Sequence, residues 1–469
     1  MKSRYSVLLK DTVIFGLGSF GSKAILFLMV PIYTNVLHED EYGTAELIFT
    51  IAQLLAPFLS VVIFDAIIRF GLSKYEKKEN VILVGVMVFF FASIIGLLIT
   101  PAIGLYDTVE QWKWYLYIYV VLNIANSIEM SYLKAKDKNK AYAILSVCLT
   151  GLMAGLNVFF LVFENLGIQG YLLAYIIANL IIDVSAYFIG NIGKDLRKAR
   201  FDKRLFKEMI FYSSPLILNN VSWWVIHSAD KVMVEVMVST VALGIYTVSA
   251  KIPSLINVFV SVFQQAWGIS AVKEIETSND NSYYSNVLKY FFLFTSGVCI
   301  VLVGIIKVFM GIYVGVDFID SWRYVPLLLV SAVFASVASY YGSLYSALKK
   351  SINNMATTAL AAVINIVLNY IFIPLFGIWG AVVGTVCSYI VIALARILDV
   401  GRFINLEIPW LKFSCISMII ILQAILVSAD FHIAIVSILA LIMFIVINYA
   451  DLLYIGKTIL INNIKKNSR

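Results

Sequence analysis

VILVGVMVFFFASIIGLLITPAIG, residues 81–104, contains no charged side chain and decides the class of fold. A helix needs about 20 predominantly apolar residues to cross the hydrocarbon core of a bilayer. This stretch is long enough, and Lys77, Lys78 and Glu79 precede it as polar flanking residues. We therefore predict a transmembrane helix over this region.

The rest of the chain has the same composition. Of its 469 residues, 61% are hydrophobic and only 13% are charged, whereas about a quarter of the residues in a soluble protein are charged. This composition excludes soluble enzymes and nucleic-acid-binding proteins. The net charge of +7 then reflects orientation in the membrane and contact with anionic lipid.

Hydropathy and turn residues divide the chain into fourteen predicted spans. The predicted fold is an all-α integral membrane protein with about fourteen transmembrane helices. The approximate limits of the spans are 11–35, 42–69, 81–104, 114–133, 141–163, 169–190, 209–236, 241–269, 286–311, 324–348, 354–373, 378–397, 411–428 and 433–450.

Charge asymmetry between the loops predicts the orientation, because Lys and Arg accumulate in cytoplasmic loops. With the N-terminus inside, the predicted outside loops hold only Lys113 and Arg323 as cations. The basic N-terminus leads directly into the first apolar stretch, so we interpret it as a first span and not as a removable signal peptide. Both termini are expected to be cytoplasmic. The largest predicted inside cluster consists of Lys194, Arg197, Lys198, Arg200, Lys203, Arg204 and Lys207.

Two short motifs suggest an internal duplication. Gly-Ile-Gln-Gly at 167–170 corresponds to Gly-Ile-Trp-Gly at 377–380, and each follows a span that contains an Asn. A weaker pair is Tyr-Gly-Thr at 42–44 and Gly-Ile-Tyr at 244–246. Chance recurrence is the alternative. Duplication would give two parallel six-helix lobes, at 1–190 and 209–400, joined by a basic linker at 191–208 and followed by extra helices 13 and 14 within 401–469.

Ionisable residues inside spans are costly and normally face a cavity or a partner. Lys23 and Lys251 lie deepest, in spans 1 and 8, and Pro253 is expected to break the helix beside Lys251. Two buried cations favour an anionic group in a cavity, and phosphate is a natural ligand of lysine. Pairing with acidic side chains is the alternative for both.

Asp230, Lys231 and Lys307 are further candidates for contact with a ligand. Asp230 and Lys231 could instead neutralise one another or lie near the outside surface. Lys307 could extend its stem to reach water.

Asp65 and Arg69 lie four residues apart and are expected to pair at the inner end of span 2, as a gate or as a site of ion coupling. By contrast, Glu46, Glu129 and Asp183 are expected to reach water at the ends of their spans.

Aromatic side chains offer one more candidate contact. Trp223 and Trp224 could stack on sugar rings, although most aromatic residues near span ends belong to interfacial belts. The four cysteines and three histidines are scattered, so no metal site is expected. The predicted loops are too short to fold into an external catalytic domain, which argues against an enzyme.

Residues 212–256, YSSPLILNNVSWWVIHSADKVMVEVMVSTVALGIYTVSAKIPSLI, resemble the Wzx-type oligosaccharide flippases of the multidrug/oligosaccharidyl-lipid/polysaccharide (MOP) exporter superfamily. DTVIFGLGSFGSKAILFLMVPIYTNVLHEDEYG at 11–43 and FGIWGAVVGTVCSY at 376–389 extend the likeness over the chain. The family's Asp-Arg after the Trp pair corresponds to Asp230-Lys231, which keeps the charge but loses the bidentate guanidinium. Lys251 matches the family's Lys after Gly-Ile-Tyr, and Lys23 fits its cationic cavity by position.

The resemblance implies two six-helix lobes around a central cavity and two extra helices. It implies translocation of an undecaprenyl-diphosphate-linked oligosaccharide for polysaccharide biosynthesis by alternating access, with H+ or Na+ as the coupling ion and no cofactor. Expected partners are the lipid-linked substrate, membrane lipids, and the polymerase and glycosyltransferases of the pathway. A drug or cation antiporter and a membrane-embedded glycan polymerase or ligase are the alternatives.

Overall fold

The computed structural model describes residues 21–73, 75–277, 281–348, 350–404 and 406–467. Within these ranges every regular element is a helix. The first ten residues of the 11–43 motif lie outside the described residues. The α-helices are α1 Gly21–Val36, α2 Glu39–Leu59, α3 Ile63–Gly71, α4 Lys78–Ile103, α5 Asp107–Glu110, α6 Lys113–Ala135, α7 Asn139–Val158, α8 Gly167–Gly190, α9 Ile192–Lys198, α10 Lys203–Met237, α11 Thr240–Lys251, α12 Pro253–Thr277, α13 Asn281–Tyr313, α14 Val325–Ala347, α15 Ser351–Phe376, α16 Ile378–Val400, α17 Trp410–Ser428 and α18 Ile433–Asn467.

The predicted all-helical membrane fold is confirmed. Among the described residues, ten helices are long and apolar enough to cross a membrane, and a bent pair, α11 with α12, brings the number to eleven. The apolar helix α1 is shorter. The predicted number of fourteen spans therefore stays a prediction.

Two helix interruptions follow directly from the sequence. The chain bends by 43° between α11 and α12, where Pro253 has no amide hydrogen to continue the helix. This break was predicted. The predicted span 42–69 is divided into α2 and α3, because Val61 and Val62 have φ angles of 51° and 53°, a left-handed conformation that a helix cannot include.

The chain forms two compact units. Unit 1 comprises Met1–Val248, Tyr313–Phe318 and Asn365–Ala381, and unit 2 comprises Ser249–Ile312, Ile319–Ile364 and Val382–Arg469. The predicted lobe limits stay a prediction.

Each unit has a core rich in aromatic side chains. In unit 1, buried Tyr171 packs edge to face against both Tyr33 and Tyr42, and the ring centroids of Tyr33 and Tyr171 lie 4.8 Å apart. In unit 2, Trp267 stacks on Tyr340 between α12 and α14, with the centroids 4.8 Å apart. The tyrosines place hydroxyl groups inside otherwise apolar packing, where such groups need polar partners.

The Gly-Ile-x-Gly motifs adopt matching local structures. Gly167 and Gly377 have φ angles of +54° and +57°, which favour glycine. A side chain at Gly170 would meet Phe160, and one at Gly380 would meet the backbone of Phe372. The two motifs thus make the same tight turn before α8 and α16.

Candidate functional site

Helices α2 and α11 cross in close backbone contact at their first turns. A Cβ atom at Gly43 would lie 2.1 Å from the carbonyl oxygen of Thr240, and one at Gly244 would lie 2.2 Å from that of Glu39. Both distances are impossible for a real side chain, so glycine is required at both positions. The two Gly-containing motifs of the weaker sequence repeat therefore touch each other. We call this crossing the α2–α11 contact.

Residues beside this crossing reinforce it. The amide of Gly315 donates to the Thr34 hydroxyl at 3.0 Å, and a side chain at Gly315 would meet the backbone of Thr34. The His38 ring nitrogen Nδ1 lies 3.1 Å from Oδ2 of Asp317. Hydrogen bonding to Asp317 and the charge of that carboxylate raise the pKa of His38. Segments distant in sequence are thus joined at one end of unit 1.

A network of charged and hydroxyl groups lies between α2, α10 and α11 within unit 1. The ammonium of Lys231 donates to Oε2 of Glu46 at 3.1 Å, and the hydroxyl of Tyr42 donates to Oε1 at 3.3 Å. Asp230 is buried and accepts a hydrogen bond from the hydroxyl of Tyr246. The ammonium of Lys231 therefore bonds Glu46 on another helix.

The expectation that Glu46 would reach water was wrong. Glu46 lies almost two turns inside α2 and is 7% exposed, because it faces α10 and pairs with Lys231. The attraction between the Glu46 carboxylate on α2 and the Lys231 ammonium on α10 offsets part of the free energy that each charge loses on leaving water.

Two further carboxyl groups are buried together in unit 1. Asp183 on α8 is 6% exposed, and its Oδ1 accepts a hydrogen bond from the Asn126 amide of α6 at 2.8 Å. Within the described part of the chain, Oδ2 of Asp183 and Oε2 of Glu129 are buried without a hydrogen-bond partner. The expectation that Asp183 would reach water was wrong, because it faces the packed α6–α8 interface. Glu129 is half-buried, with its Oε2 atom inside.

This acid pair has a chemical consequence. The charge of Asp183 acts on Glu129, and two carboxylates in one buried site repel each other. Such a pair can hold a proton or a cation. The only sequence signal for it is an acid on each of the fourth and sixth predicted spans, with Asn126 one turn before Glu129.

The predicted lysines occupy different surroundings. Lys23 is exposed on α1, and Lys251 is half-buried as the last residue of α11, at the bend before Pro253. Lys307 on α13 donates to both carboxylate oxygens of Asp430 at 2.7 Å. The side chain of Lys307 is 46% exposed, which corresponds to the alternative of a stem that reaches outward. Substrate contact by each lysine stays a prediction.

The expected ion pair between Asp65 and Arg69 was wrong. Within the described ranges no salt bridge joins them, and the cation that acts on Asp65 is Lys134 of α6. Arg69 is exposed. Helix α3 packs against α6, so its acid faces a neighbouring helix and not its own next turn.

The adjacent tryptophans differ in exposure. Trp224 is half-buried, and its indole nitrogen donates to the Thr50 carbonyl oxygen at 2.9 Å. Trp223 is 46% exposed and stacks on the ring of His227. Only Trp223 presents a free ring face of the kind that stacks on a sugar.

Arg396 was not among the predicted site residues, because it stands at the very end of the predicted span 378–397, where a cation is expected to reach water. It lies in α16 and is 4% exposed. Its guanidinium donates to the Ala338 carbonyl oxygen at 2.6 Å, Asn354 Oδ1 at 2.7 Å, Thr358 Oγ1 at 2.8 Å and Thr357 Oγ1 at 3.2 Å. All four acceptors are neutral, and no carboxylate of the described residues forms a salt bridge with Arg396.

Metal-binding groups are not clustered in the described ranges: no three His, Cys, Asp or Glu residues there are placed to hold one ion. The acid pair with Asn126 offers only two carboxylates and an amide oxygen.

Known structures share this fold. The lipid II flippase MurJ, in its inward closed conformation, matches with a TM-score of 0.72 and 15% identity over 94% of this chain and 100% of that chain. An inward-facing multidrug resistance MATE family transporter of the MOP superfamily matches with a TM-score of 0.69 and 16% identity over 82% of this chain and 94% of that chain. The chain therefore has the same fold as these two transporters.

Sequence relatives lead to the family. A protein of the Lsg locus of Haemophilus influenzae is 23% identical over 262 residues, which are 55% of this chain and 64% of that protein. An uncharacterized membrane protein of the same organism is 22% identical over 270 residues, again 64% of its length. Residues 8–268 match the profile of the polysaccharide biosynthesis protein family. Because this region spans more than half of the 469 residues, the chain belongs to the polysaccharide biosynthesis protein family.

Proposed function

We propose that this protein is a flippase that moves undecaprenyl-diphosphate-linked oligosaccharide units across the bacterial cytoplasmic membrane. The units would serve capsule, exopolysaccharide or O-antigen biosynthesis. Both termini would be cytoplasmic, and the protein would move its substrate without making or breaking covalent bonds. Its partners would be membrane lipids and the polymerase and glycosyltransferases of the pathway.

The single observation that carries the substrate class is the family match over residues 8–268. Saccharide units assembled on a lipid carrier have a charged, hydrated head that cannot cross hydrocarbon unaided. A chain built almost wholly of apolar helices can supply a polar path for such a head.

Alternating access is the mechanism that the α2–α11 contact supports best. The contact joins a helix from the first half of the sequence to one from the second half, through Gly43 and Gly244. Closely packed backbones exchange between discrete arrangements more readily than they deform. We expect this contact to close the outer end and to separate when the outer side opens.

Charged side chains would handle the diphosphate and the coupling ion. Lys23 and Lys251 would attract the diphosphate, and Trp223 would stack on a sugar. Asp230, Lys231 and Trp224 would position the elements around them. The buried pair Glu129 and Asp183 is a stronger candidate for H+ or Na+ coupling than Asp65, because its two oxygens lack hydrogen-bond partners among the described residues.

The test is leaflet-resolved transport in proteoliposomes of a fluorescent undecaprenyl-diphosphate oligosaccharide. The wild type should move the lipid-linked glycan, and the Lys23→Ala, Lys251→Ala double variant at equal reconstitution should lose most of the transport. Lys113→Ala with Lys194→Ala provides a control with the same change in net charge.

Two outcomes would overturn the proposal. Efflux of a cationic dye without movement of any lipid-linked glycan would assign a drug antiporter, the function named for the MATE neighbour. Elongation or ligation of the glycan without its movement would assign a membrane-embedded polymerase or ligase.

A further inference from the structure

A cleft with charged walls lies in unit 2, and none of the residues that line it belongs to the candidate site described above. It is a narrow cleft of about 30 Å³, formed by the first turns of α13, the start of α17 and the last described side chains of α18. Its charged lining residues are Lys289, Glu407, Lys412 and Asp451. We call it the α13–α17–α18 cleft.

The charged groups are arranged around one buried carboxylate. Lys289 donates to Oδ1 of Asp451 at 2.5 Å, and Lys412 donates to Oδ2 at 2.8 Å. The side chain of Asp451 is 11% exposed, whereas those of Lys289 and Lys412 are 30% and 36% exposed. Each ammonium has three N–H donors, and Asp451 receives one from each. Both lysines therefore retain donors and accessible surface for a second anionic group.

The cleft lies where charged and aromatic side chains meet apolar helices, which is the kind of position that a lipid headgroup occupies. Charged side chains meet there at the ends of three apolar helices, and Trp410, which is 48% exposed, begins α17 beside them. Such a combination of aromatic and charged residues marks the membrane–water interface. Stacked Phe292 and Phe413, with centroids 4.1 Å apart, line the apolar side of the cleft.

An apolar groove continues from the cleft along the same helices. It runs between α13 and α18, shares Leu293 with the cleft, and has a volume of about 440 Å³. Gly297 and Phe444 face each other in it, because a Cβ atom at Gly297 would lie 3.4 Å from the Phe444 ring. All of its lining residues apart from Tyr290 are wholly apolar, as an acyl chain requires.

The balance of charge selects the kind of headgroup. Among the described lining residues, two lysines face two acids, Asp451 and the exposed Glu407 at the rim, and their formal charges cancel. A purely anionic headgroup would gain contact with the lysines but would be repelled by Glu407. A headgroup that carries both a phosphate and an ammonium complements both signs.

We propose that the α13–α17–α18 cleft binds a zwitterionic aminophospholipid of the surrounding bilayer, of the phosphatidylethanolamine type. Its phosphate contacts Lys289 and Lys412, its ammonium contacts Glu407, and one acyl chain lies in the groove at Leu293. This lipid is a resident ligand and not the transported substrate, so the proposal does not depend on the proposed function.

The experiment counts lipids bound to the purified full chain by native mass spectrometry. The probes are phosphatidylethanolamine, phosphatidylglycerol and phosphatidylcholine with identical acyl chains, each added to delipidated protein. One phosphatidylethanolamine should bind about tenfold more tightly than either competitor, because each rival loses a charge-assisted hydrogen bond or meets repulsion.

Two variants test the two halves of the headgroup site. Lys289→Met with Lys412→Met should weaken phosphatidylethanolamine binding by about tenfold or more. Glu407→Gln, an exposed change that leaves both lysines in place, should abolish the preference over phosphatidylglycerol while binding persists. Since Glu407→Gln does not disturb a buried pair, it keeps the test decisive if the double lysine variant fails to fold.

Lys307→Met with Asp430→Asn is the matched control, because this lysine–aspartate pair joins α13 to the α17–α18 turn at the opposite end of α13. It should leave lipid binding unchanged. Equal binding of all three lipids, or tight binding that survives the double lysine substitution, would overturn the proposal. So would displacement by inorganic phosphate alone, which would indicate a free phosphate site, or by undecaprenyl phosphate, which would assign the cleft to the substrate.

Discussion

The two units treat a buried cation in opposite ways. In unit 1, the ammonium of Lys231 is paired with the carboxylate of Glu46. In unit 2, the guanidinium of Arg396 bonds only the neutral oxygens of α14 and α15. An ion pair can gain or lose a partner when a charged substrate or ion arrives, whereas a neutral cage holds its cation permanently. We infer that the Lys231–Glu46 pair can respond to an arriving charge, whereas the site of Arg396 has a structural role.

Of the substitutions that test this comparison, Arg396→Met should lower the free energy of unfolding most. It leaves the Ala338 carbonyl oxygen and the side chains of Asn354, Thr357 and Thr358 buried without their donor, at a cost of about 4 kcal/mol. Thermal unfolding in detergent measures the loss. Arg402→Met, at a mostly exposed arginine beyond the end of α16, is the control and should change stability little. Equal stability of the two variants would refute the neutral cage.

Lys231→Met should be nearly as damaging but, unlike Arg396→Met, should be rescuable. It strands the Glu46 carboxylate in the core, which costs about 3 kcal/mol. Adding Glu46→Gln removes the stranded charge and should recover most of the unfolding free energy. A double-mutant cycle on the two sites measures the coupling. Additive losses would show that Lys231 and Glu46 act independently.

Glu129→Gln should affect transport more than stability. Removing one of two repelling carboxyl groups should stabilise the protein by about 1 kcal/mol. It should also remove the dependence of transport on the coupling-ion gradient. Gradient-driven uptake at several external pH values and sodium concentrations measures this, with exposed Glu110→Gln as the control. An unchanged gradient dependence would place coupling elsewhere.

The smallest expected effect is that of pH on the pair of His38 and Asp317. The pKa of His38 is raised in the folded protein, so the pair contributes fully below the ordinary histidine value of about 6.5, and the contribution is lost as pH rises through the raised value. His38→Gln should therefore lower the thermal midpoint slightly at about pH 5.5 and not at about pH 9. A deficit that grows with pH would contradict this sign.

The predictable features were those that depend on local chemistry. Pro253 broke its helix as expected, and the Gly-Ile-x-Gly motifs adopted matching turns at Gly167 and Gly377, since backbone geometry there follows from the residue itself. The all-helical membrane fold followed from stretches such as residues 81–104.

The unpredictable features depend on which face of a helix meets a neighbour. Glu46 and Asp183 were expected to reach water at span ends, yet each faces another helix and is buried. Arg396 stands at the end of the predicted span 378–397, but its side chain on α16 points into the core. Asp65 and Arg69 are four residues apart, a spacing that allows an ion pair on a helix, but the packing of α3 on α6 determines their contacts. Linear spacing does not contain this information.

Cross-linking of His38 to Asp317, a pair that lies beside the α2–α11 contact, combined with transport, tests the central claim most directly. His38→Cys and Asp317→Cys would be introduced with the four native cysteines replaced, and a short bis-methanethiosulfonate would join the two positions through disulfide bonds in proteoliposomes. The account predicts that cross-linking stops repeated translocation of the lipid-linked oligosaccharide and that reductive release restores it. Unchanged transport in the fully cross-linked protein would contradict opening at this contact.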